Sequence, residues 1–250
     1  STSAFPLPYR PDDIDPGLLA ELDATTVPEV LAADPDLTDE QRDLGSMMWG
    51  LHFGTSGDRG AFSQALRWGS LAGGDWLRLQ EICTRFQIAG GTRHLVESIW
   101  GDARAELHLE TRVTSVVQDA DGVTVTTDAG AEYRADRVLV TVPLGALGRV
   151  RFEPALREEA RTLAAEGQAS RGFKVFLRVA GSPKPYGVVS AEPGAITSAR
   201  YLYDDGDSHV LVCFGDDAAA LDLADRASVQ KAVDELVPGA EVLDWTAHDW

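Results

Sequence analysis

The stretch from residue 171 to 179 constrains the fold of this 250-residue chain more than any other. Apolar side chains recur there at every second position, and successive side chains of a strand point to opposite faces. The pattern therefore predicts a strand with one buried face, formed by Phe173, Val175, Leu177 and Val179. Lys174 and Phe176 then project from the other face. Lysine is rare here, with three in the whole chain, so Lys174 is either a solvated edge-strand residue or a proton donor used for chemistry.

Hydrophobic periodicity divides the chain into three zones. Residues 11–85 are helical in pattern, with Asp15 and Thr38 as expected N-caps. From 106 to 150 the period becomes two, and the continuously apolar run 137–142 predicts a strand covered on both faces. The third zone predicts helices and strands in the order helix 156–166, the strand with Lys174, strands 186–190, 196–203 and 209–214, and helices 216–223 and 227–236.

Charge and composition exclude several functional classes. The net charge of -18, with no basic cluster, argues against binding to nucleic acid or to an anionic membrane. No apolar run reaches the roughly 20 residues that a membrane span needs, and no signal-peptide pattern is present, so a cytoplasmic location is expected. Cys83 and Cys213 lie in apolar contexts and are predicted to be buried free thiols. No His or Cys spacing predicts a metal site.

Four motifs follow one another over about ninety residues. A Gly-Gly pair, Gly90 and Gly91, begins a helix; an alternating strand at 109–116 contains Val113; a Thr-Val-Pro-Leu-Gly-x-Leu run at 141–147 precedes a Phe-x-Pro-x-Leu run at 152–156; and Lys174 comes next. In order and spacing this series resembles the flavin-dependent amine oxidases, the group that holds the monoamine and polyamine oxidases. The segments 201–206 and 212–215, and Trp250, resemble that family more thinly.

The resemblance implies an α+β fold. Residues 1–85 would form the helical part of the substrate domain, and 86–150 a β-rich return segment of a Rossmann-like FAD-binding domain. Residues 151–250 would form the mixed β-sheet and helices of the substrate domain. The Gly-x-Gly-x-x-Gly fingerprint of dinucleotide binding is absent from this sequence, and the chain stops before the family's C-terminal flavin segment. We therefore expect the central portion of an oxidase, inactive on its own.

The resemblance also implies a cofactor, FAD, and roles for individual residues. Lys174 would be catalytic, holding a water at the flavin and assisting the reaction with oxygen. The other implied positions are Gly90, Gly91, Val113, Thr141 and Pro143 for the cofactor, and Tyr201 and Phe214 for the substrate. Expected partners are a small-molecule amine, oxygen and a second copy of the chain in a homodimer.

Two other interpretations stay open at this stage. An L-amino-acid oxidase or a desaturase-type flavoprotein shares the Gly-Gly and Val113 motifs, although the 141–147 run favours an amine oxidase. An arginine placed to bind a substrate carboxylate would favour the amino-acid interpretation. From a different class, a non-enzymatic binding module could keep the fold and lose the cofactor.

Overall fold

The computed structural model describes residues 3–10, 13–190 and 194–248, so Trp250 lies outside the described residues. The chain forms two compact units. One contains residues 1–86 and 169–250, and the other contains 87–168. The contacts thus join residues 151–168 to the segment before them, whereas the functional domains predicted from the sequence divide at 150.

Five helices make up the first part of the discontinuous unit. They are α1 (Pro16–Asp23), α2 (Val27–Ala32), α3 (Asp39–Phe53), α4 (Phe62–Leu71) and α5 (Trp76–Thr84). The predicted caps are confirmed, because the Asp15 side chain accepts a hydrogen bond from the Leu18 N–H at 2.9 Å and Thr38 forms a capping box with Gln41. Each cap satisfies an amide that the first helical turn leaves without a partner.

The unit formed by 87–168 holds a four-stranded sheet and three helices. Its elements are α6 (Gly91–Ala103), β1 (Val113–Asp119), β2 (Gly122–Thr127), β3 (Glu132–Ala135), α7 (Leu144–Leu147), β4 (Arg151–Glu153) and α8 (Glu158–Glu166). The strand order is β3-β2-β1-β4, and β4 runs parallel to β1 while the other pairs are antiparallel.

The remainder of the first unit is a five-stranded antiparallel sheet with one packed helix. Its elements are β5 (Phe173–Ala180), β6 (Gly187–Val189), β7 (Ser198–Asp205), β8 (Ser208–Gly215), α9 (Arg226–Leu236) and β9 (Val242–His248). The order β6-β7-β8-β5-β9 puts β5 between two partners. One face of β5 is buried in a core that includes Val229 and Val233 of α9. The predicted alternation along β5 and the α+β class are confirmed.

The carbonyl of Gly54 connects the end of α3 to the start of β5. It accepts hydrogen bonds from the Ser170 hydroxyl at 2.7 Å and from the amides of Arg171 and Gly172 at 3.1 and 2.8 Å. A Cβ atom on Gly172 would lie 2.9 Å from that same carbonyl oxygen, so the close approach requires glycine.

Three predictions from the sequence are wrong. The run 137–142 forms no strand in the described chain, and Leu139 is 86% exposed, because none of strands β1–β4 pairs with it. The helix predicted at 216–223 is only a 3-10 turn, Ala218–Ala220. There Asp217 accepts the Ala219 amide at 3.0 Å, and Leu221 turns into the core. Cys83 is exposed in the last turn of α5, although it lies on the helix face of the buried Leu79, whereas Cys213 is buried as predicted.

The longest helix among the described residues, α3, has 15 residues. No helix in the described part of the chain combines the length and the apolar character needed to cross a membrane.

Candidate functional site

Lys174 lies on the open face of the five-stranded sheet, meaning the side that carries Lys174, Phe176 and Arg178 of β5. The opposite side of β5 is the buried one. Lys174 pairs across the sheet with Phe214 of β8, and its ammonium nitrogen lies 5.2 Å from the centroid of the Phe214 ring. A cation at this distance from a ring face is attracted by the ring quadrupole. The sheet therefore brings two of the predicted site residues together.

The register of the strands arranges the open face in rows. The first row joins Lys174 to Phe214 and then to Ser198 of β7. The second row joins Phe176 to Val212 and then to Arg200 of β7. Val212 is buried although it lies on this face. Phe176, Val212 and Phe214 therefore make an apolar floor between Lys174 on β5 and Arg200 on β7. On the other side of β5 the two rows continue to His248 and Thr246 of β9.

Arg200 is a residue that the sequence analysis missed. It is half-buried, and it forms no ion pair or hydrogen bond through its side chain within the described residues. Its position could not be inferred from the alternation in one strand, because pairing between strands decides which face of β7 matches that of Lys174. The available signal was that Arg200 is the single charged residue in the strand predicted at 196–203.

Tyr201 lies on the opposite face from Lys174 and Phe214. It pairs with the buried Leu211, and its ring stacks on that of His209 with centroids 5.7 Å apart and planes at 12°. Partial burial, together with a hydrogen bond to Asp204, raises the pKa of Tyr201. The two predicted substrate residues, Tyr201 and Phe214, thus do not share one face of the sheet.

His209 joins two aromatic side chains on that buried side. Its Nδ1 lies 2.6 Å from the Gly181 carbonyl oxygen, which can only accept, so Nδ1 carries the hydrogen. Its Nε2 then accepts from the Tyr186 hydroxyl at 3.1 Å. Burial raises the pKa of Tyr186. Both ring nitrogens of His209 are used within the fold, so we assign this cluster a structural role.

The predicted cofactor residues all lie in the other unit. Gly90 and Gly91 both have φ of 78°, a conformation that favours glycine, and they lead into α6. The helix has no side-chain N-cap, and a Cβ on Gly91 would meet no atom within 4 Å. The Gly91 amide donates to the Ile88 carbonyl oxygen at 2.8 Å. The amides that follow it in the first turn have no side-chain cap and are open to a polar group of a ligand.

Of the other three cofactor positions, two are at the ends of elements and one lies in a segment without secondary structure. Val113 begins β1, where it is half-buried and pairs with Thr127. Thr141 is exposed in the unpaired run, and Pro143 is the N-cap of α7. Their roles toward a cofactor stay predictions. No three metal-binding side chains cluster within the described residues.

Comparison with known proteins identifies the family. A sequence profile described as flavin containing amine oxidoreductase matches residues 26–250. The chain belongs to this family. The family resemblance drawn from the four motifs is thereby confirmed.

Two curated relatives show the extent of the similarity. The chain is 28% identical to pseudooxynicotine dehydrogenase from Pseudomonas sp over 98% of its own length and 50% of the relative's. It is 30% identical to (S)-6-hydroxynicotine oxidase from Paenarthrobacter nicotinovorans over 65% of its length and 38% of the relative's. The chain thus spans about half the length, or less, of these curated relatives.

Solved structures support the fold of this family member. A putrescine oxidase variant with redesigned cofactor binding superposes with a TM-score of 0.76 at 19% identity, covering 96% of this chain and 56% of that one. Cyclohexylamine oxidase from Brevibacterium oxydans gives a TM-score of 0.63 at 18% identity, covering 92% of this chain and 54% of that one.

Proposed function

We propose that this chain is the central portion of an FAD-dependent amine oxidase. The reaction removes two electrons and two protons from the C–H and N–H of an amine, leaving an imine. Oxygen takes up the two electrons and two protons as hydrogen peroxide, and water hydrolyses the imine. FAD supplies the electron-accepting chemistry. Residues 1–85 and 151–250 would belong to the substrate domain and 86–150 to the FAD-binding domain.

The position of Lys174 is the observation that carries this proposal. An exposed ammonium projects from a sheet whose other face is dry, beside an aromatic ring and a buried valine. A lysine in such a setting can hold a water molecule and deliver a proton at a fixed point, while the apolar floor excludes bulk water from a bound amine. We assign Lys174 the catalytic role of holding the water that assists the reaction with oxygen, and Phe214 the role of a wall for the substrate.

The unit 87–168 fits part of an FAD site. The start of α6 follows a left-handed glycine pair and has no side-chain cap, so the first-turn amides after that of Gly91 remain open to an anionic or polar group. Gly90, Gly91, Val113, Thr141 and Pro143 would hold the cofactor, chiefly through their backbone. The dinucleotide fingerprint is not among these residues, so we expect no turnover from the 250-residue chain alone.

The visible spectrum of the complete natural gene product tests the function. We expect a bound flavin that bleaches when an amine is added without oxygen and recovers when oxygen returns. A flavin that no amine bleaches would favour amino-acid or desaturase chemistry. Absence of flavin after supply of FAD would favour the binding-module interpretation and overturn the proposal.

Substitution of Lys174 tests its role. We expect Lys174→Met to slow reoxidation of the reduced flavin by oxygen about 100-fold or more, with a smaller effect on anaerobic bleaching. Lys231→Met is the matched control, because Lys231 is exposed on α9 and forms a surface ion pair with Glu235. Equal reoxidation rates in the two variants would remove Lys174 from the mechanism.

A further inference from the structure

Arg200 is a half-buried cation without a partner among the described residues. Its side chain forms no ion pair, hydrogen bond or ring contact there. Its nitrogens still reach solvent, because no buried side-chain nitrogen or oxygen among the described residues lacks a hydrogen-bond partner. The residue is thus partly covered while its donors stay free, and a ligand that reaches this face can supply the oxygen that they bind.

The surroundings of Arg200 resemble a ligand surface more than a solvated strand. It lies in the same row as Val212 and Phe176, one row from Lys174 and Phe214. From strand spacing, the Cα atoms of Arg200 and Lys174 are roughly 12 Å apart. A molecule a few carbon atoms long, lying on the apolar floor, could place one end near Lys174 and the other at the guanidinium.

The charge of this face is opposite to that of the protein. The two rows that contain Lys174 and Arg200 carry no described carboxylate, although the chain has 40 acidic residues and a net charge of -18. Asp205 and Asp244 lie on this face only in the rows farther from Lys174. A ligand with a second ammonium would be repelled here, and a ligand with an electron-rich oxygen would be attracted.

We propose that Arg200 determines substrate specificity by binding a carboxylate or carbonyl oxygen at the far end of the amine. The substrate class is then a monoamine that carries such an oxygen, not a diamine. This inference rests on the proposed function for the position of the reacting amine, but not for the binding of the oxygen. A guanidinium suits the task because its donors form a fixed fork that matches a carboxylate.

The binding step is tested without any turnover. Valerate is an unreactive carboxylate of suitable length, and calorimetry with the complete natural gene product measures its dissociation constant. We expect Arg200→Met to weaken valerate binding about 10- to 100-fold and Arg200→Lys to restore part of it. Arg151→Met is the control, because Arg151 is exposed on β4 and pairs with Glu153. Equal binding to wild type and Arg200→Met, or no binding to wild type, would overturn the proposal.

The specificity step uses three amines of matched length: pentylamine, δ-aminovalerate and cadaverine. We expect kcat/KM to be highest for δ-aminovalerate and lowest for cadaverine in the wild type. Arg200→Met should lower kcat/KM for δ-aminovalerate about 10- to 100-fold. The kcat/KM for pentylamine should stay within about threefold, which would show that the variant is folded. A uniform fall for all three amines would overturn the role of Arg200 and leave the oxidase in place. Valerate binding with no amine oxidised would overturn the proposed function alone.

Discussion

Two apolar segments of similar composition have opposite surroundings. In β5 of the sheet unit, Val175 and Leu177 are fully buried, because β8 and β9 pair with both edges of the strand and α9 contributes to the core on one side. In the other unit, the run 138–142 pairs with no strand of the described residues, and its valines and leucine are 40% exposed or more. An apolar pattern indicates that a segment tends to be buried. It becomes a core strand only when neighbouring strands pair with both of its edges and another element covers one of its faces.

The largest contrast is expected when one leucine is truncated in each segment. Leu177→Ala should lower the free energy of unfolding by about 2–5 kcal/mol, since it removes buried methyl groups and leaves a cavity. Leu139→Ala, at an exposed position, should change it by less than about 0.5 kcal/mol. Urea denaturation of the chain measures both. Similar losses for the two variants would mean that the run at 138–142 is buried in solution.

The pH dependence of stability at Cys213 tests whether the buried side of the sheet excludes water. Burial raises the pKa of this thiol from 9.0 to about 12. Below pH 9 the thiol is protonated in both states and its contribution to stability is complete. As the pH rises from 9 toward 12 only the unfolded chain loses the proton, so stability falls with a slope approaching about 1.4 kcal/mol per pH unit.

Denaturation between pH 9 and 10, before tyrosines ionise, compares wild type with Cys213→Ala. The variant should lack the part of the stability loss that comes from Cys213. The difference in the pH dependence of the free energy of unfolding between the two chains should therefore grow with pH. If both decline in parallel, water reaches Cys213 in the folded sheet.

Self-association of the chain tests the exposure of the run 138–142. A run of five residues with strong β propensity and no charge is prone to pair with another copy when it is exposed. We expect Val140→Lys to reduce concentration-dependent light scattering by the 250-residue chain while leaving its unfolding midpoint unchanged. The control is Leu163→Lys, because Leu163 lies on the exposed side of α8. Val125 of β2 would be less suitable, because its strand is already paired with β3. A fall in scattering with Leu163→Lys but not with Val140→Lys would locate association elsewhere.

The smallest effect is expected at acidic pH in the four-stranded sheet. Hydrogen bonds from Arg134, and one from the Asp121 amide, lower the pKa of Asp119 below its usual 3.8. Its contribution to stability is therefore present above that value and is lost as the pH falls through the lowered pKa. Asp119→Asn should remove a small part of the loss of stability at acidic pH, whereas the effect of Cys213 is expected at alkaline pH. An unchanged acid profile would show that the exposed pair with Arg134 contributes nothing measurable.

Much of the fold could be predicted because its signals are local. Residues a few positions apart decide the alternation in β5, the caps of α1 and α3 and the glycine pair at the start of α6. The site depended on pairing between distant segments. Whether Tyr201 or Arg200 shares a face with Lys174 is decided by the register of β7 on β8, and a bulge between Tyr201 and Tyr203 changes that register. No pattern within one strand contains that information.

The hydrogen bonds at Gly54 also bear on how the protein is made. The Ser170 hydroxyl that binds its carbonyl comes 116 residues later in the chain. At ribosomal rates of about 5–20 residues per second, the end of α3 waits roughly 6–23 s for this partner. The segment 87–168 is complete before the helical segment can join its sheet, so during synthesis the unit encoded in the middle is positioned to fold first, and the unit that begins the chain closes last.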